Sequence, residues 1–272
     1  MKRLAHDPTA WAGAFLLAPL ILGALIGPFL AETALVTHLD ARLLPPGQDH
    51  WFGTDALGRD VLARTLAGSG ATLGLAFLVA GLAAPLGLAL GAVAGSLGGI
   101  VETLLMRTTD IALAVPRLIL ALALAAALGP GLLNAALAVA LTAWPPYARQ
   151  ARAETLAARK ADFIAAARLC GASQMRIALV HIAPLGISSM LVRLSLDLSG
   201  IVLASAGLGF LGLGAQPPLP EWGAMVATGR THLVDAPWVA GFPGLAILMA
   251  GLGFSLLGDA IRDALDPRNE RC

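Results

Sequence analysis

Apolar residues in this chain neither alternate nor return every third or fourth position; they run on in long blocks. Six stretches stay apolar over roughly the ~20 residues a helix needs to cross a bilayer. They are Trp11–Leu30, Ala71–Gly95, Thr103–Leu128, Leu132–Tyr147, Gly186–Leu211 and Gly241–Leu257. The fourth is short, and little more than Ser96–Glu102 separates the second from the third. The first is too long for a signal peptide and is interrupted by Pro19 and Pro28, so it reads as a retained anchor. The expected fold is an all-α membrane protein with about six transmembrane helices. An N-terminal anchor and outer segment (1–70) precede a transmembrane core (71–268).

Composition narrows this further. Of 272 residues 57% are hydrophobic and 13% charged, too few charges to coat a soluble fold of this length. The same numbers exclude disorder, and Cys170 and Cys272 alone cannot make a disulfide framework. A net charge of +1 speaks against nucleic acid as the main partner. Position matters more than number. With the N-terminus inside, Lys2, Arg3, Arg149, Arg152, Arg159, Lys160, Arg168, Arg176, Arg262, Arg268 and Arg271 fall on the cytoplasmic side. Only Arg42, Arg59, Arg64 and Arg230 fall in the outer segments 31–70 and 213–240, so both termini are expected in the cytoplasm.

Two local patterns stand out. Gly87, Gly91, Gly95 and Gly99 recur every four residues, a small-residue stripe that lets another helix backbone come close. The polar insertion 148–185 reads as a knob. Ala151–Leu169 is free of Gly and Pro and favours helix, Gly171 stops it, and Ser173 caps a second helix that runs to Pro184. Such a helix–Gly–helix projection suits a groove on another protein.

Here the residues carry a resemblance. Asp162-Phe163-Ile164-Ala165-Ala166-Ala167-Arg168, then Gly171-Ala172-Ser173 and Ile182-Ala183-Pro184, resemble the EAA loop of ABC importer permeases. His50-Trp51-Phe52-Gly53-Thr54-Asp55-Ala56-Leu57-Gly58-Arg59-Asp60 resembles the GTDxLGRD signature of the dipeptide, oligopeptide and nickel permeases. Phe210-Leu211-Gly212-Leu213-Gly214, Pro217-Pro218 and Glu221-Trp222-Gly223 are similar to their FLGLG…PP…WG signature. Leu257-Gly258-Asp259 through Arg262-Asp263-Ala264-Leu265-Asp266-Pro267 is similar to the tail of the second, C-type subunit. The resemblance implies a type I permease in the bacterial inner membrane, paired with a second permease, two ATP-binding subunits and an extracytoplasmic solute-binding protein. It implies that Ala165, Ala166, Ala167, Gly171, Ile182 and Pro184 dock on the ATP-binding subunit, with no cofactor bound by this chain.

Departures from the pattern also inform. Ala165 stands where the family has the Glu of EAA, and Ala183 where it has Leu. With the Ala204–Gly209 neighbourhood, which lacks the Glu usual in peptide members, this leans toward the nickel branch, with a peptide importer as the alternative. Arg193 and Asp197 lie four apart in the fifth span, either as a mutually neutralising pair or beside the cargo path. His6, His38, His50, His181 and His232 show no metal-ligand spacing, so no metal cage is expected. Asp55, Arg59 and Asp60 lack a nucleophile–base pattern and read as a loop helix with Asp60 and Arg64 in register. The chain carries no G-x-x-x-x-G-K-[ST], which leaves ATP to another subunit. An ion-coupled carrier would show inverted repeats and an intramembrane enzyme a catalytic cluster; the sequence offers neither.

Overall fold

The computed structural model describes residues 7–265. Lys2, Arg3, the Asp266-Pro267 end of the tail motif, Arg268, Arg271 and Cys272 lie outside the described residues. The helices are α1 (Pro8–Leu35), α2 (Val61–Leu97), α3 (Gly99–Ala114), α4 (Arg117–Leu128), α5 (Leu132–Ala158), α6 (Asp162–Leu169), α7 (Gln174–Arg176), α8 (Ile187–Phe210), α9 (Trp222–Gly229) and α10 (Trp238–Leu265). Among the described residues there is no strand, only an isolated bridge between Thr54 and Asp60.

Four of these helices, α1, α2, α8 and α10, are long and apolar enough to cross a membrane. The sequence leads one to expect six, and the difference has two causes. The stretch Thr103–Leu128 is not one rod: α3 and α4 meet at 94° and make a fifth span only if the bent pair is counted as one. Val115 is extended there (φ −95°, ψ 134°) because Pro116 crowds the backbone before it out of the helical region. The fourth stretch, Leu132–Tyr147, is the apolar half of α5, a 27-residue helix whose other half carries Arg149, Arg152 and Glu154. By contrast Pro19 and Pro28 leave α1 unbroken, and Asp7 caps it by accepting from the Thr9 N–H at 2.9 Å.

The chain divides into two compact units. The first comprises Met1–Leu78, Leu122–Ala138 and Ser195–Cys272. Within it α1 lies against α10 and the start of α2 through small residues. A Cβ placed on Gly253 would fall 2.6 Å from Leu17 Cγ, one on Gly13 2.9 Å from the Gly253 carbonyl, and one on Gly27 3.1 Å from Ala67 Cα. Apolar side chains offer no hydrophobic gain between helices in lipid, so close backbone approach supplies the attraction.

The second unit comprises Val79–Ala121 and Val139–Leu194, and there the glycine stripe does its packing. Gly87 faces Tyr147 and Trp144, Gly91 faces Ala148 and Ala151, and Gly95 faces Thr155, so α2 seats on α5 along three successive turns. Gly99 departs from the expectation: it opens α3 beyond the break at Gly98, with no neighbour near its Cβ position. The polar half of α5 grips α3 by charge. Arg152 pairs with Glu102 and Arg149 Nη2 with Asp110 Oδ1 at 2.7 Å, while Arg159, just past the end of α5, donates to the Gly95 carbonyl of α2 at 2.8 Å. Both glycine packing and ion pairing therefore fix α5 just ahead of the knob.

Candidate coupling and signature sites

The knob is built in pieces rather than as two clean helices. The expected helix Ala151–Leu169 is split, since α5 ends at Ala158 and α6 begins at Asp162. Gly171 then adopts φ +81°, a left-handed turn that side chains with a Cβ resist, and Ser173 accepts from the Arg176 N–H at 3.2 Å as a helix cap. The second helix does not run to Pro184. After α7 it widens into a π-helical stretch, Ile177–Ile182, and tightens into a 3-10 turn, Ala183–Gly186, that leads into α8. Pro184 opens that turn, where its missing N–H leaves no bond unmade.

A small core holds these pieces together: Ile164, Ile177 and Ile182 are buried, with Ala158 and Ala172 packed at their edge. Of the residues expected to dock, Ala165, Ala166, Gly171 and Pro184 are exposed and Ala167 is half-buried. Ile182 is only 3% exposed, so it supports the knob from within and does not form part of its surface. The surface has apolar residues that the sequence reading passed over. Leu169 is 90% exposed beside the turn, and Phe163, Met175 and Val180 are exposed around it.

In the first unit the two signature stretches fold into a wired loop and a capped helix. Asp55, 7% exposed, accepts from the N–H groups of Leu57 and Arg59 at 2.8 and 3.0 Å. Its other oxygen meets Arg59 Nε at 2.7 Å and Arg64 Nε at 3.5 Å. Arg64 also donates to the Ala34 carbonyl, which ties the loop to the end of α1. The expected Asp60–Arg64 register is therefore not the pairing found. Asp60 accepts from Ala63 N–H as the cap of α2 and meets His50 Nδ1 at 2.8 Å, which points it away from Arg64. Nor does a loop helix form there, although a separate short turn spans Leu39–Ala41.

The second signature ends α8. Gly212 (φ +81°) lets Leu213 N–H return to the Leu208 carbonyl at 2.9 Å. Glu221, 2% exposed, caps α9 by accepting from Gly223 and Ala224 N–H at 2.8 and 3.0 Å. Gly209 and Gly214 leave the room its carboxylate fills. Trp222 is fully buried, lies over Gly68 and donates from its indole to the Thr65 carbonyl at 2.9 Å. Sequence reasoning missed Glu221 as a buried cap; an acid standing just before a Trp-Gly helix start was the available signal. Burial pushes the Glu221 carboxyl above its ordinary value, against the opposing pull of its bonds from Gly223, Ala224 and Thr72. The folded chain then holds this proton more tightly than the unfolded chain. The residue's contribution to stability is full below about pH 4.3 and is lost as pH rises through the raised value. Glu221→Gln should therefore gain stability relative to the native chain as pH rises from 4 to 7, measured by thermal unfolding in detergent. Parallel pH curves for the two proteins would contradict this.

On α8, Arg193 meets the ring of Tyr147, its Cζ 5.6 Å from the centroid, a contact the sequence did not suggest. Among the described residues no three His, Cys, Asp or Glu side chains converge as a metal site would require.

Residues 87–271 match the family described as the binding-protein-dependent transport system inner membrane component. The chain belongs to this family of ABC importer permeases. Residues 1–46 of the permease also match the N-terminal transmembrane domain of oligopeptide transport permease C. It is 43% identical over 266 residues (97% of this chain, 89% of the relative) to a protein of Escherichia coli named probable D,D-dipeptide transport system permease. It is 39% identical over 268 residues (98% and 88%) to a dipeptide transport system permease of Alkalihalophilus pseudofirmus. It is 40% identical over 269 residues (98% and 89%) to a glutathione transport system permease of Shigella flexneri. The permease is thus a multi-pass inner-membrane transport subunit and not an enzyme.

Proposed function

We propose that this permease forms half of the path by which an ATP-driven importer carries short peptides inward. The observation that carries the reading is the naming of near-full-length relatives for dipeptides and glutathione. This reverses the order of cargoes read from the sequence, where the altered EAA loop leaned toward nickel. Loop departures such as Ala165 concern the docking partner and say little about cargo. The partners in this reading are a second permease, two ATP-binding subunits that hold the ATP, and an extracytoplasmic binding protein. The test is uptake by the complete importer in proteoliposomes: ATP-dependent accumulation of a labelled dipeptide is expected. Uptake of nickel chelate without uptake of peptide would overturn it.

In the same reading residues 159–186 face the cytoplasm, as their excess of Arg and Lys suggests, and couple ATP to transport. Closure of the ATP-binding subunits pushes the exposed Leu169–Gly171 turn, and α8, which follows directly, shifts the spans between outward- and inward-facing states. Arg193 and Asp197 of α8 lie beside the cargo path. Such a shift needs a few kcal/mol of differential contact, so small faults at the turn should show. Gly171→Val forces a β-branched residue to φ +81° at a cost of about 1–2 kcal/mol, and uptake per ATP should fall roughly tenfold while ATPase activity persists. Gly171→Asn, which tolerates that conformation, should stay near native. Native coupling in Gly171→Val would take the turn out of the mechanism. The room around its Cβ shows that conformation, and not crowding within the chain, makes glycine necessary.

A further inference from the structure

The Arg193 side chain is a charged group that its apolar helix does not explain. It lies within two turns of the start of α8, in an apolar helix, and is half-buried. Its Nε is buried and finds no hydrogen-bond partner among the described residues. Its guanidinium rests on the Tyr147 ring instead, 5.6 Å from Cζ to centroid, a contact that satisfies charge but takes up none of the in-plane N–H donors. Tyr147 itself is fully buried and set by the glycine stripe, since a Cβ on Gly87 would fall 2.5 Å from Tyr147 Cβ. The ring therefore sits against one side of the guanidinium, and Arg193 as a whole stays only half-buried.

An intramembrane arginine with an unfilled donor is a poor structural element and a good receptor. Its planar fork matches a carboxylate through two parallel charge-assisted bonds, which a neutral carbonyl or a hydroxyl cannot supply. We infer that Arg193 receives the C-terminal carboxylate of the peptide during passage, and so sets a preference for free-acid peptides within the permease itself. This rests on the peptide reading above and adds to it a residue and a chemical group.

The experiment uses the complete importer in proteoliposomes with dialanine and its C-terminal amide, at concentrations that saturate the binding protein. The native importer should move the free acid roughly tenfold faster than the amide. R193Q should lose most of that preference by slowing the acid and sparing the amide. R193K, which keeps the charge but lacks the planar fork, should retain only part of it. Cargo-stimulated ATPase within twofold of native shows that each variant is assembled. An acid preference unchanged in R193Q, or equal transport of both forms by the native importer, overturns the inference and leaves the peptide reading standing. A native importer that moves neither form overturns the peptide reading itself.

Discussion

Asp55→Ala should destabilise the permease by about 3–5 kcal/mol, the cost typical of removing one partner from a buried ion pair. Asp55 is 7% exposed and so is Arg64, so the guanidinium left behind cannot turn to water. Arg59 loses its 2.7 Å contact, and the N–H groups of Leu57 and Arg59 lose their acceptor in the same step. The loop also brings Leu43 N–H to the Asp55 carbonyl and Asp55 N–H to the Arg59 carbonyl, so its backbone order depends on the side chain at its centre. The measurement is the thermal midpoint of the purified permease in detergent, which should drop by roughly 2–4 °C for each kcal/mol lost. Asp55→Asn keeps one oxygen for the two N–H groups and loses the charge, so it should fall between. A midpoint for Asp55→Ala within one degree of native would show that Arg64 is held by the Ala34 carbonyl alone.

Gly91→Leu should prevent α2 from seating on α5. A Cβ at Gly91 already collides with the Ala148 carbonyl oxygen, and it falls 2.6 Å from Ala151 Cβ and 2.9 Å from Arg152 N. Two of these three are backbone atoms, which cannot swing aside as a side-chain end could. Overpacking costs about 1–3 kcal/mol in ordinary cores, and this site belongs at or above the upper end because three turns of contact must part together. Yield of folded protein and thermal midpoint should both fall sharply. Gly81, on the same helix with nothing within 4 Å of its Cβ position, supplies the comparison. Gly81→Ala should be neutral or slightly stabilising, since alanine is the better helix former. Equal tolerance at the two positions would mean that α2 and α5 are not held by close approach.

The contrast between Gly91 and Gly99 shows where sequence reasoning succeeds and where it stops. A four-residue spacing identifies a face as long as the helix continues, and it does so through Gly95; the left-handed turn at Gly98 ends that argument. Hydrophobic runs located α1, α2, α8 and α10 well, because length and apolarity suffice to specify a span. They could not reveal the 94° bend at Pro116, which adds one residue's geometry to an unbroken apolar run. In the knob, Gly171 and Ser173 were legible from local chemistry, as a left-handed stop and a cap. The inward position of Ile182 was not, because it depends on Ile164 and Ile177 folding around it. The same holds for charges. Asp60 and Arg64 are in helical register, yet the capping of α2 and the pull of Asp55 assign them different partners. Tyr147 gave no sign of its role until α8 placed Arg193 over it.

The three-isoleucine core of the knob has a mechanical consequence. A part that passes a push from one protein to the next can deliver no more force than its softest section sustains, and here that section is about as thin as Ile164, Ile177 and Ile182 can make it. The polar grip of α5 on α3 and the glycine seat on α2 brace one side, while the widened turn Ile177–Ile182 leads through the 3-10 turn Ala183–Gly186 into α8 on the other. Shaving one methyl from any of the three isoleucines would leave the spans folded and the docking surface chemically unchanged. It would make the link between them more compliant, so that part of each ATP-driven stroke goes into bending the knob.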